Sequence, residues 1–262
     1  MLFRSEAEEV KREIQDLYEA GIRIFAPVHR FDNNLVGSSE GCERYGLTQQ
    51  GRIALREAQN LNMVIDLAHM SPAGIRDALE LLEGPFTVSH TGIKAECEPP
   101  CRDARNLSDE EIEAILRADG LIGVGFWPQA VGPSVWRIVD IMVYIGEIAE
   151  SLNLDRSRYT AFGSDYDGSV APLVEVGHLD VLTSIMRDLA PLMTPDDIRN
   201  IAGRNACRLF AEVLPGGDAA RASEICDRAA STTIFIRPPE EGVTPAPITR
   251  GGEGVESPDR KE

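Results

Sequence analysis

The chain has 262 residues, 43% of them hydrophobic and 26% charged, with a formal net charge of −17. That length accommodates one barrel-sized domain or two small ones with an ample core. The acidic balance argues against a nucleic-acid backbone as partner and describes a soluble globular protein with a diffuse acidic surface. The five cysteines, Cys42, Cys97, Cys101, Cys207 and Cys226, form an odd, scattered set that suits reduced thiols in a cytosolic protein better than a disulfide framework. Cys97 and Cys101 enclose only Glu-Pro-Pro and have no second pair, which makes a weak metal pattern. No apolar run approaches the roughly 20 residues of a membrane span, and the opening MLFRSEAEEV lacks the apolar stretch of a secretion signal, so the cytoplasm is the expected location.

In chain order, Ser5 to Ala20 reads as a helix, with a capping box from Ser5 to Glu8 and an apolar face of Val10, Ile14, Leu17 and Tyr18. Ile22 to Val28 is a strand that stops at His29. Arg30 to Tyr45, rich in Asn, Gly and Ser, is a loop long enough to form one wall of a site. Thr48 to Asn60 is a helix feeding the strand Met63 to Leu67, which stops just before His69. The helix Pro72 to Leu82 returns to the strand Phe86 to Val88, with His90 beyond it. After the loop Thr91 to Asn106, Ser108 and Glu111 form a capping box for a helix through Arg117. Leu121 to Phe126 is a strand, Ser134 to Leu152 an amphipathic helix, and Tyr159 to Gly163 a strand running into Ser-Asp-Tyr-Asp-Gly. Helices follow at His178 to Leu189 and Thr194 to Val213. Asp218 to Ala229 adds a short helix, and from Arg237 onward Pro, Gly and charge predict disorder.

This alternation predicts an α/β fold with about five parallel strands. No glycine-rich phosphate loop follows the first strand, and candidate functional residues stand at the ends of several strands, so a partial TIM-like (β/α)8 barrel fits better than an open doubly wound sheet. The expected organisation is a barrel portion over residues 1–213, then a short helix and disordered tail over 214–262.

Of the four histidines, His29, His69 and His90 occupy equivalent places after predicted strands, whereas His178 begins a helix and reads as a surface residue. In a parallel sheet the strand ends face the functional side, so His69 and His90, on successive strands, come together in the geometry of a metal site. Asp165 and Asp167 follow the last strand, where carboxylates bind a metal, hold an amine or shuttle a proton, or simply build an Asp-rich turn. Arg105, in a long loop on the same face, is able to fork onto a carboxylate.

Taken together and in order, several stretches resemble the membrane (renal) dipeptidase family of zinc metallopeptidases. They are the strand ending at His29, Gly46-Leu-Thr-Gln-Gln-Gly51, Ile65-Asp-Leu-Ala-His-Met-Ser71, Val88-Ser-His90, Arg105-Asn-Leu-Ser-Asp109, Leu121-Ile-Gly-Val-Gly-Phe126 and Gly163-Ser-Asp-Tyr-Asp-Gly168. The match runs over roughly residues 8 to 213. The resemblance implies a distorted (β/α)8 barrel and hydrolysis of dipeptides by a two-zinc site. It makes His69 and His90 zinc ligands, His29 the residue that steadies the tetrahedral intermediate, Arg105 the partner of the dipeptide's terminal carboxylate, and Asp165 the group that holds the amino end or transfers a proton. Asp66 and Ser89 are placed to orient the ligand histidines from behind.

The family also uses a His-x-Asp motif on its first strand and a shared glutamate at the end of its third. No such motif precedes the His29 strand here, and counting back by the family's helix length puts the glutamate near Leu2 or before Met1. Two histidines fall short of the three protein ligands usual for a catalytic zinc. The expectations that follow are a natural start further upstream, closure against another chain (a homo-oligomer covering open edges at the Ile22 and Tyr159 strands), or lost activity. Two rivals stand beside the dipeptidase reading: a non-catalytic barrel fragment binding a peptide or partner subunit, and a hydrolase on an open α/β sheet using Asp165 with His90.

Overall fold

The computed structural model describes residues 6–101, 103–168, 173, 181–214, 221–222 and 224–227. Its centre is a five-stranded parallel sheet in sequential order, β1 (Ile24–Phe25), β2 (Val64–Asp66), β3 (Phe86–Thr91), β4 (Leu121–Val124) and β5 (Thr160–Phe162). Every residue of β2 and β4 is buried, as continuous apolar strands covered on both faces must be. Helices intervene between successive strands: α1 (Glu6–Glu19) precedes β1, and α2 (Gln49–Asn60), α3 (Pro72–Leu79), α4 (Asp109–Arg117) and α6 (Trp136–Ser151) lead into the next four. Neighbouring helices pack in the same order as the strands, α1 on α2, α3 on α4 and α4 on α6, which is the wall of a (β/α) barrel.

Local signals account for most of these elements. Thr48 caps α2 by accepting from Gly51 N, and Ser71 caps α3 by accepting from Gly74 N with Pro72 in the first turn. The Ser108–Glu111 capping box closes reciprocally at the start of α4. In α1, Val10 and Ile14 are buried against α2, and Gln15 Nε2 donates to Glu57 Oε1 at 2.6 Å. Ser5 lies outside the described residues.

Two sequence expectations are corrected, and one element is added. The strand Ile22 to Val28 contracts to two residues, because Pro27 has no N–H for the ladder and an edge strand has one neighbour only; His29 therefore stands in a bend beyond it. A short helix, α5 (Pro128–Val131), follows β4. The cysteines are not all reduced: Cys97 pairs with Cys101 and Cys207 with Cys226, leaving Cys42 free. The turn between Cys97 and Cys101 brings their Cα atoms to 5.3 Å, inside bonding range, and the inference from cysteine count to compartment falls with that expectation. No helix among the described residues is long and apolar enough to cross a membrane.

The far end of the chain closes the sheet. After α7 (Val181–Leu189), α8 (Pro195–Arg199) runs through a π-helical segment, Asn200–Arg204, into α9 (Asn205–Val213). Asn205, 1% exposed, donates from Nδ2 to Ser157 O at 2.7 Å and Thr160 O at 2.9 Å. Asn62 Nδ2 donates to Glu212 O at 3.1 Å. Helix α9 thus crosses the N-terminal ends of the strands from β5 to β2. The β5 edge, expected to be open, is covered in this way, whereas β1 keeps Ile22 and Ile24 at 42% and 40% exposure. Residues 221–222 and 224–227 are helical; the predicted disordered tail lies outside the described residues.

Candidate active site

At the opposite, C-terminal ends of the strands lies a cavity of about 600 Å³ lined by His29, Asp66, His69, His90, Asp165 and Asp167 among others. The residues singled out in the sequence are brought together here. His178, and Asp180 two positions on, lie outside the described residues.

His69 follows β2 in a left-handed turn, φ +67°, which swings its ring back over the strand end. The turn is held from the loop of residues 29–45: Ser39 N donates to His69 O at 2.8 Å and Ser71 N to Gly37 O at 2.8 Å. His90 belongs to β3, where the register against β4 shifts between Val88 and Thr91. This irregularity turns Ser89 O towards β4 and β5, into space that side chains at Gly123 and Gly163 would fill: a Cβ there would stand 2.0 Å and 2.3 Å from that oxygen.

The two imidazoles meet edge to edge, with His69 Nε2 3.1 Å from His90 Nε2. Arg105, in the 3-10 turn Asp103–Arg105, extends Nη2 to within 3.0 Å of His69 Nε2. Its backbone is pinned by Thr91 Oγ1 on Arg105 O, and the buried Asn106 anchors the next residue through Ile93 O and Ala130 O. The His29 ring packs edge-on against His69, centroids 4.4 Å apart, and is exposed at the mouth. Asp165 Oδ2 lies 4.0 Å from His90 Nε2; Asp165 and Asp167 both take left-handed backbone angles, φ +56° and +63°. Their turn is thus both structural and cavity-lining.

Burial and nearby charge favour the neutral form of His69 and His90. Burial, reinforced by the Arg105 charge, pushes His69 down to about 2 and also lowers His90, against the opposing pull of Asp165 and Asp66. Burial lowers Arg105 too. Neutral imidazole is the form that binds a metal ion.

The hydrogen bonds test whether these residues fit a cation. Asp66 accepts from Ala68 N and Ser89 N through Oδ1 and from Ser89 Oγ through Oδ2. With the hydroxyl proton on Asp66, the 2.7 Å contact of Ser89 Oγ with His90 Nδ1 requires the proton on Nδ1. Arg105 donates to His69 Nε2, which places the His69 proton on Nδ1; that atom is buried without a hydrogen-bond partner, 3.7 Å from Glu40 Oε2. No proton therefore lies between the two Nε2 atoms: the His90 lone pair is free and the His69 lone pair accepts from Arg105, so a cation taking the place of the guanidinium would be held by both nitrogens. Two nitrogens bound to one tetrahedral zinc stand roughly 3.3 Å apart, close to the 3.1 Å seen. The pair fits two ligand positions. Among the described residues no group of three His, Cys, Asp or Glu side chains converges to hold a metal.

Two contributors escaped sequence reasoning. Glu40 was hidden in a polar loop whose length alone marked it as a wall. Trp127 lies beside His90, centroids 5.8 Å apart, and beneath Arg105, 5.9 Å from its guanidinium carbon; its sequence signal was only that of a core aromatic.

The model of the membrane dipeptidase family, Peptidase family M19, matches residues 8–224. An uncharacterised dipeptidase of Schizosaccharomyces pombe is 27% identical over 207 residues, 75% of this chain and 48% of its own length. An uncharacterised protein from the pqqA 5′ region of Klebsiella pneumoniae is 29% identical over 186 residues, 67% of each chain. The dipeptidase tcpJ of Claviceps purpurea is 26% identical over 203 residues, 75% of this chain and 46% of its own. The chain thus spans about half the length of the two dipeptidases. Among solved structures, a metallo peptidase of Rhodobacter sphaeroides bound to a phosphinate mimic of L-Ala-D-Ala superposes with a TM-score of 0.63 at 20% identity, covering 77% of this chain and 59% of its own. An amidohydrolase of Pseudomonas aeruginosa gives 0.62 at 18% identity, covering 79% and 69%. These likenesses carry the fold, and the family match, running from α1 past α9 and taking in the strands, the histidine pair and Arg105, shows that the chain belongs to the membrane dipeptidase family, M19, of the metallopeptidases.

Proposed function

We propose that this chain provides the histidine pair and the substrate-binding face of a zinc-dependent dipeptidase site. The observation that carries the reading is the approach of the His69 and His90 Nε2 atoms to 3.1 Å at the C-terminal ends of β2 and β3. His69 and His90 would hold zinc, which when bound supplies a Lewis acid for the scissile carbonyl and a water nucleophile active at neutral pH. Arg105 binds the dipeptide's terminal carboxylate, which replaces His69 as the partner of its guanidinium. His29, at the mouth, donates to the oxygen of the tetrahedral intermediate. Asp165 takes the substrate's ammonium group or carries the proton to the leaving amine.

The test is zinc content per purified chain, together with hydrolysis of a simple dipeptide before and after chelation. The expected result is bound zinc and chelator-sensitive turnover. His69→Ala and His90→Ala should each weaken zinc binding and turnover by more than about 100-fold, beyond the effect of losing an outer partner. Arg105→Ala should mainly raise KM, by about 10- to 100-fold for a lost charged hydrogen bond. Equal activity in all three variants, or a wild-type chain with neither zinc nor turnover, overturns the hydrolase reading. A second reading, a non-catalytic fragment that binds a peptide carboxylate, is favoured by Arg105 already engaging His69 Nε2 and by the two-ligand count; dipeptide binding without zinc and lost in Arg105→Ala would select it.

A further inference from the structure

The proton assignments around His90 depend on two side chains behind its ring, Ser89 and Asp66, the second of which also lines the cavity. Asp66 is 6% exposed, accepts hydrogen bonds at both oxygens, and ties the end of β2 to the middle of β3. Ser89 stands between it and the histidine, with Oγ 2.6 Å from Asp66 Oδ2 and 2.7 Å from His90 Nδ1. One hydroxyl carries one proton. Since Asp66 only accepts, that proton points to Asp66, and the oxygen's lone pair is left for an N–H from the imidazole.

We infer that Ser89 and Asp66 are positioning residues that fix His90 as its Nδ1–H tautomer and keep the Nε2 lone pair aimed at His69. The relay is a carboxylate–hydroxyl–imidazole chain, in which the carboxylate sets the direction of both hydrogen bonds. Its consequence for zinc rests on the proposed function, but the tautomer itself does not.

The relay also predicts how to reverse it. Asp66→Asn keeps the shape and, with its amide oxygen at the Oδ1 position, still accepts from Ala68 N and Ser89 N. Its amide nitrogen then donates to Ser89 Oγ, so the hydroxyl proton turns to His90 Nδ1 and the imidazole proton moves to Nε2. Long-range imidazole 15N spectra of the metal-free protein at neutral pH, with His90 assigned by its loss in His90→Gln, read this directly. Wild type should show protonated Nδ1, Asp66→Asn protonated Nε2, Ser89→Ala a mixture, and Ser89→Thr the wild-type pattern. Zinc dissociation constants by chelator competition should rise 10- to 100-fold in Asp66→Asn and Ser89→Ala, and return to within about threefold of wild type in Ser89→Thr. A wild-type His90 protonated on Nε2, or Asp66→Asn spectra unchanged from wild type, overturns the relay. The Nδ1–H pattern in a wild-type chain that binds no zinc supports the relay and counts against the cation reading alone.

Discussion

Gly123 and Gly163 do their work by lacking a side chain. Both lie where Ser89 O turns out of the β3 ladder, and a methyl at Gly123 would stand 2.0 Å from that backbone oxygen. Backbone cannot rotate away as a flexible side chain can, so Gly123→Ala forces β3 and β4 apart. The expected cost is about 2–3 kcal/mol of stability, at the upper end for overpacking, read as a shift in denaturation midpoint. Because Ser89 precedes His90, the variant should also weaken zinc binding, whereas a substitution at exposed Phe31, 81% accessible, should change neither. The left-handed φ at His69, Asp165 and Asp167 is the same kind of local constraint. None of these was visible beforehand, because a sequence marks a glycine without saying what approaches it, and an αL histidine has no signature at all.

At the scale of elements, what could be read was what is encoded within a few neighbouring residues. The Ser108–Glu111 box, the Ser71-Pro72 helix start and the apolar runs of β2 and β4 each carry their own signal, and each stands where expected. The convergence of His69 and His90 was legible for the same reason: β-strand ends in a parallel sheet share one face. Some of what failed depended on distant partners, although the Cys97–Cys101 bridge is local. The reach of β1 is set by its ladder with β2, and the cover on β5 is set by Asn205, 45 residues further along the chain. Asn205→Ala leaves Ser157 O and Thr160 O buried without their donor, which should cost about 2–3 kcal/mol. Hydrogen exchange at the Thr160 and Ala161 amides should accelerate with it; unchanged protection there would mean that packing of α9, not the amide, holds this edge.

Across the whole molecule the two ends of the sheet differ: the C-terminal ends carry the candidate site, and the N-terminal ends carry the α9 contacts, the end that in barrels generally serves stability. Helix α9 belongs to the N-terminal end. It is tied through the Cys207–Cys226 disulfide to the helical residues 221–222 and 224–227, of which Ala222 and Cys226 are buried at 2% and 3% exposure. A bridge over a separation of 19 residues stabilises by about 3 kcal/mol in the chain-entropy view. Replacing both cysteines, Cys207→Ser with Cys226→Ser, should therefore lower stability by up to about that amount while leaving zinc stoichiometry and affinity at wild-type values, since no group on α9 reaches the cavity that His69 and His90 share. Thermal melts and zinc titrations on the same preparation make the comparison. Zinc affinity that falls in step with stability would show instead that closure of the N-terminal end shapes the site, and that the sheet transmits strain along its strands rather than separating the two tasks.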